Sequence, residues 1–245
     1  TAVTDLWGGT FHTHGDRTLP QIRISQGGGL QIDDGTVTAS GSISQIAPGE
    51  FMAFNGNANG HLVVPATVPF IHRGGNGLQF RGALHALLHG PVAIDAPLQL
   101  QSTADVTVAS TSWTMGRFSS IDIAEGAHLR NEGLLTLDPQ AGNSFLFGGA
   151  GAFDNAGTVR GASGTIDMRM PFAQFAGGSF TAGRIEIADG VSWLFFPLTT
   201  TIAGQIRLEG SAFPDTFAVH ASNGLRNLNT IQPGGAMELA GGASL

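Results

Sequence analysis

The chain has 245 residues, a net charge of −7, 12% charged residues, 37 glycines and no cysteine, and all 11 basic residues are arginine. With 42% apolar residues the composition excludes a disordered chain, and scattered arginines in a negative balance exclude the basic stripe of a nucleic-acid binder. No apolar run reaches the roughly 18 residues of a membrane-spanning helix, and the lack of cysteine removes disulfides and thiolate metal sites.

Near the N-terminus, His12-Thr13-His14-Gly15-Asp16 places two imidazoles on one face of a strand. With a third ligand they suit zinc or copper, and the competing reading is a polar strand edge. Alternation of apolar and polar residues then predicts short strands over Gln21-Ile22-Arg23-Ile24 and Leu30-Gln31-Ile32. Asp33-Asp34-Gly35 has the look of a calcium-loop fragment, but the rest of that pattern is missing and a turn is predicted. Residues 1–60 are less regular than the rest of the chain and are predicted to be a cap over one end of the domain.

Gly60-His61-Leu62-Val63-Val64 is the first clear copy of a pattern that keeps returning: Gly, any residue, apolar, any residue, apolar. The segment 78–90 reads either as holding a short helix over Ala83–His89 or as two strands. If helical, it sets His85 and His89 at the i, i+4 spacing of a zinc site, without the glutamate of a metalloprotease motif. Further strands are predicted at Gly90-Pro91-Val92-Ala93-Ile94, Val106-Thr107-Val108 and Ile121-Asp122-Ile123. The pattern recurs at Gly133, Gly157, Gly164, Gly183, Gly204 and Gly235. The main series, Gly133, Gly157, Gly183, Gly204 and Gly235, advances by roughly 20–30 residues at a time, which is the step of a solenoid with one coil per repeat.

Two further motifs fit stacked coils. Ile121-Asp122-Ile123-Ala124-Glu125-Gly126 matches Ile185-Glu186-Ile187-Ala188-Asp189-Gly190, with inward isoleucines and a glycine at the corner. Asn131, Asn155 and Asn227 precede strands, the first two one repeat apart and the third three repeat lengths further on. They read either as an inward asparagine ladder or as ordinary turn residues on the surface. Aligning Ile185-Glu186-Ile187 with Ile206-Arg207-Leu208 predicts Glu186 beside Arg207 on adjacent parallel strands.

Leu129–Leu137, followed by Gly148–Val159, resembles the strand repeats of large bacterial surface proteins, the autotransporter passengers and filamentous-haemagglutinin-like adhesins. The resemblance covers about residues 90–245 and is one of style. It implies a right-handed parallel β-helix, export, and a role in adhesion or surface structure, and it brings no catalytic residues. No Asn-Pro-Asn secretion motif is present.

The fold expected is one all-β domain over residues 1–245, a right-handed parallel β-solenoid of roughly ten coils, with a β-sandwich as the alternative. The function expected is a structural or adhesive segment of a bacterial extracellular or cell-surface fibre protein. Its expected partners are further copies of itself or a host or surface glycan, with no nucleic acid and no membrane insertion. Thr1 without a methionine and a C-terminus inside a repeat-like stretch read as a processed or excised segment. No catalytic, cofactor-binding or metal residue is assigned, and no cofactor. The alternatives are a β-helix polysaccharide lyase or hydrolase, and a carbohydrate-binding module using Trp113 or Trp193.

Overall fold

The computed structural model describes residues 2–45, 51–73, 76–170, 172–194, 198–210, 218–219, 222–223, 225 and 227–243. All regular structure among them is β-strand, and none of these residues is helical. The strands fall into three long parallel sheets of 11, nine and seven strands. The chain visits the first, second and third sheets in turn and then returns to the first. Val92–Asp95, Pro97–Leu100 and Asp105–Val108 make one such coil, and Trp113–Met115, Ser120–Ile123 and His128–Asn131 make the next. Each strand pairs in parallel with its counterpart one coil on, as Val92 with Trp113, Leu98 with Ile121 and Val106 with Leu129.

This is a parallel β-solenoid, not a sandwich. Antiparallel pairing among the described residues is confined to two-residue contacts, Phe175–Ala176 with Ser179–Phe180 and Ala218–Val219 with Ser222–Asn223. Seven strands in the third sheet set the number of coils complete on all three faces, while the first sheet continues through eleven. Beyond Asn155 a four-stranded sheet follows the third one, joined where the Ala173 N–H donates to Phe153 O at 2.8 Å. The described residues of 4–45 and 51–64 form the first coils of the same three sheets. Residues 78–90 take the two-strand reading: one strand ends at Gly82 and the next runs His85–Leu88.

Period-two alternation decides what lies inside. In the first sheet the column Ile22, Ile43, Phe70, Val92, Trp113, Leu135, Val159, Ile185 and Ile206 runs down the interior with every member at most 2% exposed. Phe147, Phe153, Phe172 and Trp193 fill the later coils, with the Phe153 and Phe172 centroids 4.6 Å apart. Such stacking of wide side chains supplies the apolar burial that offsets the entropy of ordering a thin chain.

The recurring glycine has a physical cause that differs from a turn requirement. A Cβ on Gly133 would lie 1.8 Å from Ser110 O, one on Gly90 1.8 Å from Val68 O, and one on Gly157 2.2 Å from Gly133 O. At these positions the backbone of the new coil enters its strand against a carbonyl of an earlier turn, and only glycine leaves room, whereas Gly164 and Gly183 combine such a contact with φ of +66° and +76°. At the acidic-glycine corners the expected reason holds: Gly126 and Gly190 have φ of +83° and +74°. The glycine motif also serves more than one face. The copies from Gly133, Gly157, Gly183, Gly204 and Gly235 align in the first sheet, whereas the Gly60 copy lies in the third and the Gly164 copy in the second.

Two of the three asparagines form the inward ladder. Asn131 and Asn155 are fully buried, and Asn131 Nδ2 donates to Asn155 Oδ1 at 2.7 Å and to Thr158 O at 3.0 Å. Asn155 Nδ2 donates to Arg184 O at 3.1 Å, carrying the bond to the next coil. Asn227 is exposed and takes the surface-turn reading.

The register between Ile185–Ile187 and Ile206–Leu208 is the expected one, with Glu186 opposite Arg207. The charges nevertheless pair differently. Glu186 holds Arg184 Nε on its own strand at 2.6 Å and faces Arg160 at 3.8 Å, while Arg207 reaches Glu209 at 2.9 Å and Glu238 at 3.0 Å. A residue two positions along the same strand lies on the same outward face and competes with the cross-strand neighbour. A double-mutant cycle on Arg184 and Glu186 should therefore give about 0.5 kcal/mol, and one on Glu186 and Arg207 close to zero. Unfolding midpoints of the four-variant sets check this, and a larger coupling for the second pair contradicts it.

Candidate functional site

The outward face of the third sheet carries a ladder of histidine and aspartate side chains aligned by the coil register. Thr36 lies opposite His61, His61 opposite His85, His85 opposite Asp105, and Asp105 opposite His128. The residues between them in each strand point inward, as Leu62, Ala86, Val106 and Leu129 do. Period two therefore sends the whole ladder to solvent on one line. The His61 and His85 rings stack with centroids 5.3 Å apart and planes at 24°. Asp105 sits between two histidines: its Oδ1 is 3.2 Å from His128 Nδ1 and its Oδ2 3.5 Å from His85 Nδ1. Val63 and Leu87 flank the ladder and complete a shallow groove of about 440 Å³. A carboxylate only accepts, so an Nδ1 that bonds to Asp105 carries a proton.

A second histidine cluster lies in the first two coils. His12 Nδ1 is 3.0 Å and His14 Nε2 3.3 Å from the same Asp33 oxygen. The hydrogen bond from His12 holds the Asp33 carboxyl below the usual carboxylate range. Asp33 is the partner that local sequence did not supply for the His12–His14 pair, because it comes from the next coil. Asp34 is a bend beside it, and carboxylates bridge the two coils there: the Gly15 N–H donates to Asp34 Oδ1, and the Thr36 N–H donates to Asp16 Oδ1 at 2.9 Å. Among the described residues no three of His, Asp and Glu are laid out as a metal-ligand set. His89 is exposed and its helical pairing with His85 does not arise, since His85 lies in a strand.

The tryptophans proposed for a sugar platform are elsewhere. Trp113 and Trp193 are 1% and 0% exposed and belong to the core, so neither offers a face to a glycan. Trp7 is 65% exposed, on the outermost strand of the first sheet. Leu194 ends a strand, whereas Phe195 and Phe196 lie outside the described residues.

No protein-family model, curated protein or solved structure matches the chain. The fold and the ladder geometry therefore carry the functional reading alone.

Proposed function

We propose that this chain is a structural or adhesive β-solenoid segment of a bacterial extracellular or cell-surface fibre protein, and that copies of it associate. The observation that carries the reading is the unbroken parallel stack, eleven strands deep in its first sheet, with its interior filled by apolar columns and buried asparagines. A body in which each coil contacts only its neighbours is stiff along one axis and offers its long faces and ends for contact. Among the described residues Thr4–Trp7 pairs with Ile22–Ser25 alone, and its coil exposes Trp7 and Phe11. In the last described coil Ala236–Ala240 pairs, among the described residues, with Gln205–Glu209 alone, and Leu239 and Ile231 are exposed. A strand edge that offers N–H and C=O groups beside apolar side chains is a template for a further strand.

Sedimentation velocity across a concentration series tests this. The expected result is elongated oligomers that grow with concentration and are lost in Trp7→Lys. A single monomeric species at every concentration overturns the self-association, and depolymerisation of a polysaccharide by the purified chain overturns the structural reading in favour of a lyase or hydrolase.

A further inference from the structure

We propose that His61 and His85 form a chelating site for one borderline divalent cation, Zn²⁺ or Cu²⁺, that joins two neighbouring coils on the third sheet. Three observations carry it. The two histidines are direct neighbours on adjacent parallel strands, the closest approach that two outward side chains have in this fold. Their rings already stack at 5.3 Å, so rotation about the broad side-chain torsion next to each ring brings two nitrogens to one ion with the backbone unmoved. Asp105 Oδ2 lies 3.5 Å from His85 Nδ1, so a carboxylate stands beside the ring that would ligate through Nε2. A carboxylate behind a ligating imidazole both orients it and raises its basicity.

The donor set selects the cation. Two neutral imidazoles suit zinc, copper or nickel, and they are poor ligands for calcium or magnesium, which require oxygen. Zn–N bonds of about 2.0–2.1 Å place the two nitrogens a little over 3 Å apart, within reach of rings one strand step apart. Solvent completes the coordination shell, since Asp105 is engaged between His85 and His128. Val63 and Leu87 shield one flank. The fold does not depend on the ion, because the ladder hydrogen bonds already join these coils. The cation adds a cross-link between them.

The test titrates the whole chain with ZnCl₂ by calorimetry at pH 7.5, and with CuCl₂ followed by electron paramagnetic resonance. The expected result is one ion per chain at this site, and a copper signal split by two imidazole nitrogens. His61→Ala and His85→Ala should each weaken binding at least tenfold. Asp105→Ala should weaken it about tenfold through orientation of His85, while His128→Ala stays within twofold. Saturating Zn²⁺ should raise the melting temperature of the parent and leave that of the His61→Ala/His85→Ala double variant unchanged. These side chains face solvent, so circular dichroism of the variants should match the parent. Equal binding by the parent and the double variant overturns the proposal. So does loss of the ion in His12→Ala/His14→Ala with the His61–His85 pair intact, which assigns it to the first coils.

Discussion

Gly133→Ala is expected to lower stability by about 3 kcal/mol or more, although it adds one methyl group. That methyl would stand 1.8 Å from Ser110 O and 2.6 Å from its carbonyl carbon. Overpacking against side chains typically costs about 1–3 kcal/mol because they can turn away. Here the obstacle is backbone of the preceding coil, and moving it breaks the ladder in which Leu134 N–H donates to the same Ser110 O at 3.0 Å. Gly190→Ala is the matched control. Its φ is +74° and an added Cβ meets nothing within 4 Å, so only conformational strain of about 1–2 kcal/mol is expected. Denaturant unfolding of both variants reads the difference. Equal losses would show that glycine serves chain conformation at both positions and that the coils are not in close backbone contact.

The second large effect concerns His72. It lies beside Ile94 in an inward column, is fully buried, and neither ring nitrogen has a hydrogen-bond partner among the described residues. Burial pushes its pKa down from 6.5 to about 4. The unfolded chain therefore takes up a proton between pH 6.5 and pH 4 that the folded chain refuses. Stability from this group is intact above pH 6.5, falls as the pH drops through that window, and falls no further below about pH 4. At about 1.4 kcal/mol per pKa unit the full loss is about 3 kcal/mol. His72→Leu removes both the titration and a buried donor left unpaired, which costs about 1–3 kcal/mol. The variant should be more stable than the parent at pH 7, with the gap widening at pH 4.5. Urea titrations at the two pH values measure it. A variant that is less stable at both, with an unchanged gap, would falsify the account of His72.

The architecture was legible in the sequence because a parallel stack repeats its constraints. Glycine recurs before the later strands of the first sheet, at Gly133, Gly157, Gly183 and Gly235, since each of them lies against a backbone carbonyl of the coil before. Alternation such as Arg184-Ile185-Glu186-Ile187 marks an inward pair and an outward pair without ambiguity. What the sequence obscured is the sideways neighbourhood. His61, His85, Asp105 and His128 are separated by unequal steps along the chain, which align only once the corner lengths are known. Local spacing drew attention to His85 and His89 instead. Asp33 was invisible as a partner for His12 and His14 for the same reason. The burial of Trp113 and Trp193 was within reach, since each occupies an apolar position of an alternating strand, Trp113-Thr114-Met115 and Ser192-Trp193-Leu194. The fate of Asn227 differs from that of Asn131 and Asn155 because a ladder needs partners on adjoining coils, and Asn227 stands several repeats beyond Asn155.

The most direct measurement of the central claim, a parallel stack in this register, uses the absence of cysteine in the chain. Ala93, Thr114 and Thr136 are successive outward neighbours on three adjacent strands of the first sheet. Adjacent strands lie about 4.8 Å apart, which suits a disulfide, whereas two steps exceed the roughly 7 Å limit. Cysteines are introduced in pairs, the protein is oxidised, and the cross-link is read by mass spectrometry of proteolytic fragments. The account predicts intramolecular disulfides in Ala93→Cys/Thr114→Cys and in Thr114→Cys/Thr136→Cys, and none in Ala93→Cys/Thr136→Cys. Failure of both neighbouring pairs to close, or efficient closure of the two-step pair, contradicts it.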